Sequence, residues 1–91
     1  KEQTENFSYN DFENAVLSVK GVKSVGDIHV WSQNPTEHHL TCKVTVKIED
    51  VCDCDRIIGK IDEICRTKFG IEHATIQPVY TEQALQRFCK T

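Results

Sequence analysis

The run at 40–48 constrains this chain most, because Leu40, Cys42, Val44, Val46 and Ile48 alternate without a break with Thr41, Lys43, Thr45 and Lys47. Successive side chains of a strand point to opposite faces, so the run predicts a strand with one apolar and one polar face. Such a strand needs a cover for its apolar face, and two helical patterns supply it. Over 10–20, Phe12, Val16 and Val19 recur at i, i+4 and i+7 with Leu17 beside them. Asn10 and Glu13 make a capping-box start there, and Gly21 is placed to stop the helix. Over 53–68, Cys54, Ile57, Ile58, Ile61, Ile64 and Cys65 share a face. Asp50 or Asp53 is positioned to cap this second helix, and Gly70 lies just past its end.

Two further strands complete the pattern. Between 25 and 31, Ile28 and Val30 alternate with Asp27, His29 and Trp31, and the turn residues of 32–37 join this strand to the next as a hairpin. Between 71 and 80, Ala74 and Ile76 face one way and His73, Thr75 and Gln77 the other, with Pro78 marking an edge or the end of pairing. A short tail helix with Leu85, Phe88 and Cys89 on one side is predicted after Thr81. The expected class is α+β: an αββαβ ferredoxin-like, metallochaperone-like unit, with two helices on one face of a three-stranded sheet and a C-terminal tail helix. Its divisions are a linker over 1–9, the αββαβ domain over 10–80 and the tail over 81–91.

Two helices cover only one face of such a sheet. The other face carries His29, Trp31, Thr41, Lys43, Thr45, Lys47, His73, Thr75 and Gln77. A large aromatic left in water calls for a partner, and a self-complementary dimer is the commonest solution. His29, Trp31, Lys43, His73 and Gln77 are therefore the expected dimer contacts.

Composition narrows the functional classes. The net charge is −3, from 14 acidic and 11 basic side chains, and the basic residues are scattered. This argues against nucleic acid, whose binding rests on clustered Lys and Arg. No apolar run approaches the ~18 residues of a membrane span. The chain starts at Lys1 and has no Met, which predicts a fragment or a processed product. Five cysteines without framework spacing suit a reducing compartment. Cys42 and Cys65 fall on inward faces as small hydrophobes. Cys52 and Cys54 form a CxC among Asp50, Asp53 and Asp55, a soft-metal motif that supplies only two of four ligands. His38 and His39, at the start of the second strand, could recruit a metal as a pair, but a solvated pair near the turn is the favoured reading. No nucleophile or metalloprotease spacing is present, so an enzyme is not expected.

Three blocks carry a resemblance: GVKSVGDIHVW at 21–31, HLTCKVTV at 39–46 and FGIEHATIQ at 69–77. In this order and spacing they are similar to the cation diffusion facilitators, whose members run "GV.SVHDLHIW", "L.CHV.V" and "GI.H.TIQIE". The resemblance implies a cytosolic C-terminal domain that follows a transmembrane domain and dimerises. It would regulate a zinc or other divalent-cation exporter from the cytoplasmic side of a membrane. It also exposes departures. Positions that hold zinc ligands in the family fall on Gly26, Lys43 and Val79, which are poor ligands. Any Zn²⁺ site is therefore expected to be weak or relocated, with His29, His73, Cys52 and Cys54 as the candidate ligands, and metal-free assembly is the other outcome. Lys43, partnered by Asp27 or Asp62, would then put a fixed positive charge where relatives place an ion. Two further readings compete: a soluble Cys-based metallochaperone or metal buffer, and a metal-independent adaptor.

Overall fold

The computed structural model describes residues 7–80. Within them the chain runs α1 (Tyr9–Leu17), β1 (Val22–Asn34), β2 (Glu37–Val46), a 3-10 turn (Ile48–Asp53), α2 (Cys54–Phe69) and β3 (His73–Val79). This is the αββαβ order. The expected tail helix over 81–91 lies outside the described residues.

The first helix begins earlier than its capping-box signature predicts. Ser8, not Asn10, is the N-cap, and its hydroxyl accepts the Asp11 N–H at 3.1 Å. The early start is tied down by aromatic packing. Phe7 sits edge-on to Tyr9 at 5.0 Å between ring centroids, and 5.5 Å from Phe69. The helix also ends early, at Leu17, with Ser18 as C-cap. Gly21 is therefore not its stop. At φ 101° it turns the chain into β1, and its carbonyl accepts the Lys47 N–H at 2.7 Å. Helix α2 ends as predicted, on Gly70 at φ 65°, whose N–H bonds to the Cys65 carbonyl.

In the sheet, β2 lies between the other two strands, antiparallel to β1 and parallel to β3. Strand β1 is longer than the alternation of 25–31 suggests because its register slips, between Val22 and Ser24, Gly26 and His29, and Ser32 and Asn34. A bulge inserts one residue and re-aims those beyond it. Val25 pairs with Val44 and Val30 with Leu40, so both face the helices although five positions separate them. Asp27, in the middle slip, takes φ 50°, a backbone region unusual for a residue other than glycine. Pro78 sits on β3, an edge strand, as a residue without an N–H must.

The helices share one face of the sheet. Phe12 and Val16 of α1 and Ile57, Ile61 and Cys65 of α2 are fully buried against Val22, Val30, Leu40, Cys42, Val44 and Val46. The apolar side of β2 is consumed as its alternation predicts. Its polar side is left open.

Candidate metal centre on the open sheet face

Strand register builds the site. Trp31 of β1 pairs with His39 of β2, and His39 pairs with His73 of β3, so three rings stand in one row across the sheet. They stack: Trp31 and His39 lie 5.3 Å apart at 12°, and His39 and His73 lie 4.7 Å apart at 21°. Glu37 comes to the same row from the hairpin. The turn is held by Asn34, whose Oδ1 accepts the Thr36 N–H at 3.1 Å, while Asn34 Nδ2 donates to Glu37 Oε1 at 3.2 Å. The second carboxylate oxygen is thereby aimed at the histidines, 2.8 Å from His73 Nε2 and 3.8 Å from His39 Nε2.

The β2–β3 register has its own lock. Glu72 accepts the His38 N–H through Oε1 at 2.8 Å, and its N–H donates to the His38 carbonyl at 3.2 Å. The His38 backbone bond holds the Glu72 carboxyl below the usual carboxylate range, with smaller help from the charges of His38 and His73. The two-point contact fixes which β3 residue meets His39.

Glu37, His39 and His73 are the group among the described residues that offers three convergent ligand atoms, all within 4.8 Å of one another. Their burial is graded: the His39 side chain is 23% exposed, Glu37 36% and His73 54%. His39 Nε2 itself is buried and has no hydrogen-bond partner. A buried polar atom of this kind is uncommon and calls for a ligand or a proton.

The residues singled out from the sequence are only partly brought together. His73 joins the cluster and Trp31 stacks on it. His29 belongs to the next row, where it pairs with Thr41 opposite Thr75, and does not join. Lys43, Gln77, His29, Asp27, Thr41, Cys42 and Thr75 line a shallow groove of about 340 Å³ on the same face. There Lys43 Nζ lies 3.3 Å from Asp27 Oδ2, so Asp27 and not Asp62 is its partner; Asp62 pairs with Arg66 at 3.0 Å. Both Lys43 and Asp27 are half-exposed or more, which limits the pair to about 1 kcal/mol at most. Cys52 is exposed before α2, while Cys54 is half-buried at its start and its Sγ accepts the Tyr80 hydroxyl at 2.9 Å. Neither lies in the three-ligand group.

The sequence patterns alone do not single out Glu37, and they offer His39 only as half of a pair with His38. His38 and His39 are not a pair in space: His38 Nδ1 lies 2.9 Å from Ser32 Oγ, while His39 points to the other face between Trp31 and His73. The available signal was parity, since 37 and 39 share the face of Thr41 and Lys43.

Comparison with known proteins agrees with this architecture. The profile of the cation efflux protein, cytoplasmic domain, matches residues 4–78. A vacuolar zinc transporter of Toxoplasma gondii, TgZnT, is 36% identical over 76 residues, covering 84% of this chain and 8% of its own length. A cadmium, cobalt and zinc/H(+)-K(+) antiporter of Bacillus subtilis is 28% identical over 74 residues, 80% of this chain and 24% of its own. The chain thus spans less than a quarter of the length of these relatives. Among solved structures, the metal-bound C-terminal domain of the CzcD transporter from Cuprividus metallidurans superposes with a TM-score of 0.71 at 26% identity, over 80% of this chain and 99% of that one. A MamM variant has the same fold, with a TM-score of 0.65 at 16% identity.

Proposed function

Because the chain belongs to the cation efflux protein family, as its cytoplasmic domain, we propose that it is the regulatory and dimerisation domain of a zinc or other divalent-cation exporter. Two copies pair through their open sheet faces, and the geometry of the pair biases the attached membrane domain between its states. The carrying observation is that both helices spend their apolar stripes on one face, leaving Trp31, His29, Lys43, His73 and Gln77 together on the other. Trp31 is half-buried and stacks on His39, and a second copy would cover the rest of its indole.

Residues 1–9 would lead from the membrane, and their last members are not a loose tether. Phe7 and Tyr9 pack on the core beside Phe12 and Phe69, so a tilt of one domain against its partner is passed to the chain entering the bilayer. Residues 81–91 would add the tail helix. With Gly26, Lys43 and Val79 at the positions where the family resemblance expects ligands, the Lys43–Asp27 pair replaces an ion in that groove, and any cation response moves elsewhere on the face.

Sedimentation velocity with chelator and then with excess Zn²⁺ tests this reading. The chain is expected to dimerise in chelator, and Lys43→Ala is expected to weaken that metal-free dimer. A chain that stays monomeric in both conditions would remove the dimerisation reading. A Lys43→Ala dimer as stable as the parent, with and without zinc, would remove the role given to the lysine.

A further inference from the structure

We propose that Glu37, His39 and His73 form a cation site on the open face, taking one divalent first-row ion of the Zn²⁺ type, and that Trp31 reports and resists its entry. The proposal deepens the regulatory reading by placing its cation response, but ion binding itself stands on these residues alone.

The donor set is two imidazole nitrogens and one carboxylate oxygen, a combination that suits Zn²⁺ and its neighbours and leaves a fourth position open. Bonds of about 2.0–2.1 Å in a tetrahedron put ligand atoms roughly 3.3 Å apart. The contacts of Glu37 Oε2, 2.8 Å to His73 Nε2 and 3.8 Å to His39 Nε2, bracket that spacing. The widest separation in the group, at most 4.8 Å, closes by about 1.5 Å to reach it. The carboxylate already supplies the negative charge that a cation needs, and His39 Nε2 already lacks a partner.

The ring stack sets the cost of binding. His39 and His73 lie nearly parallel, at 21°, whereas a metal must sit in the plane of each imidazole it binds. The rings therefore have to fan apart, and His39 must turn away from the Trp31 face on which it lies at 12°. Giving up these stacks weakens ion binding without forbidding it. The loss of stacking frees the indole, which stands on edge strand β1 within the proposed dimer face. Ion occupancy and pairing are coupled through one side chain, and coupling of this kind is reciprocal.

The test uses the whole 91-residue chain, which carries a single tryptophan. Zn²⁺ is titrated at free concentrations up to about 100 µM, which detects dissociation constants up to that order. Bound metal is counted by equilibrium dialysis and Trp31 emission is followed in parallel. The expected result is one ion per chain, with an emission change that saturates at the same zinc concentration. Glu37→Gln, His39→Ala and His73→Ala are each expected to bind at least tenfold more weakly, and Cys52→Ser/Cys54→Ser as tightly as the parent. Circular dichroism in chelator shows that each variant remains folded, and Trp31→Phe should keep the ion while losing the signal. No zinc bound across this range, zinc kept by all three ligand variants, or zinc lost with the cysteines would overturn the site. Dimerisation is read separately by sedimentation, so a monomer that binds zinc through these residues would refute the pairing and leave the site standing.

Discussion

At the scale of single residues, environment decides chemistry more than identity does. Cys42 and Cys65 are buried between sheet and helix, and burial pushes their thiols up from an ordinary 9.0 to about 11 and about 12. Cys65 is raised further by Cys42 and Asp62 nearby. Both thiols stay protonated in the folded chain while the unfolded chain ionises above about pH 9, so the unfolded state binds fewer protons there. Stability is therefore full below pH 9 and falls as pH rises from 9 towards 11. Urea melts between pH 8 and pH 10.5 should show the decline, and Cys65→Ala should make it shallower, with Cys42 carrying the rest. A parent chain whose stability does not change over that window would contradict the burial of these thiols. The inward placement of both was legible from the strand and helix patterns. The pairing of His39 with Trp31 and His73 was not, because it spans three strands.

At the scale of elements, local signals located helices and strands well and their ends less well. The alternation of β2 and the Ile57, Ile61, Cys65 stripe of α2 are strong because every position agrees with burial. The start of α1 went to Ser8 because Phe7 packs on Phe69 and Tyr9 on Phe7, rewarding two more residues of order, which no local cap signature encodes. Two substitutions separate the alternatives. Ser8→Ala should cost about 1 kcal/mol, the usual loss of a capping hydroxyl, while Asn10→Ala, exposed inside the helix, should cost little or nothing. Thermal melts of both decide it, and the reverse order would restore Asn10 as the cap. The bulges of β1 belong to the same scale. They keep Val25 and Val30 on one face, against the strict alternation the sequence suggests, because partner residues on β2 must be met.

At the scale of the whole molecule, one layer of helices on one side of a sheet leaves stability and function on opposite faces. The helix side holds the core, so Ile61→Ala, at a fully buried position, should cost about 2–5 kcal/mol. That is a large share of the total for so small a domain. Denaturant unfolding should register it as a lower midpoint. On the open face, Glu37→Gln should leave the midpoint nearly unchanged in chelator, while His39→Ala, which gives up two ring stacks, should lower it modestly. A small loss at Ile61 would mean that the core tolerates a cavity there. The separation leaves the open face free to change without disturbing the core that the helices cover.

The sequence by itself determined the element order, the apolar faces, the existence of an uncovered sheet face and the family to which the chain belongs. Those features depend on periodicity and on short ordered blocks, which are local in the chain. Only the tertiary structure decided that His39, Glu37 and His73 meet, that Asp27 is the partner of Lys43, and that His29 stands one row away. Their meeting depends on the register between strands, and that register is set by bulges, by the Asn34 turn and by the contact of Glu72 with His38. A one-residue slip in any of these would carry a side chain to the opposite face. Register is a property of pairs of strands, and no single stretch of sequence carries it.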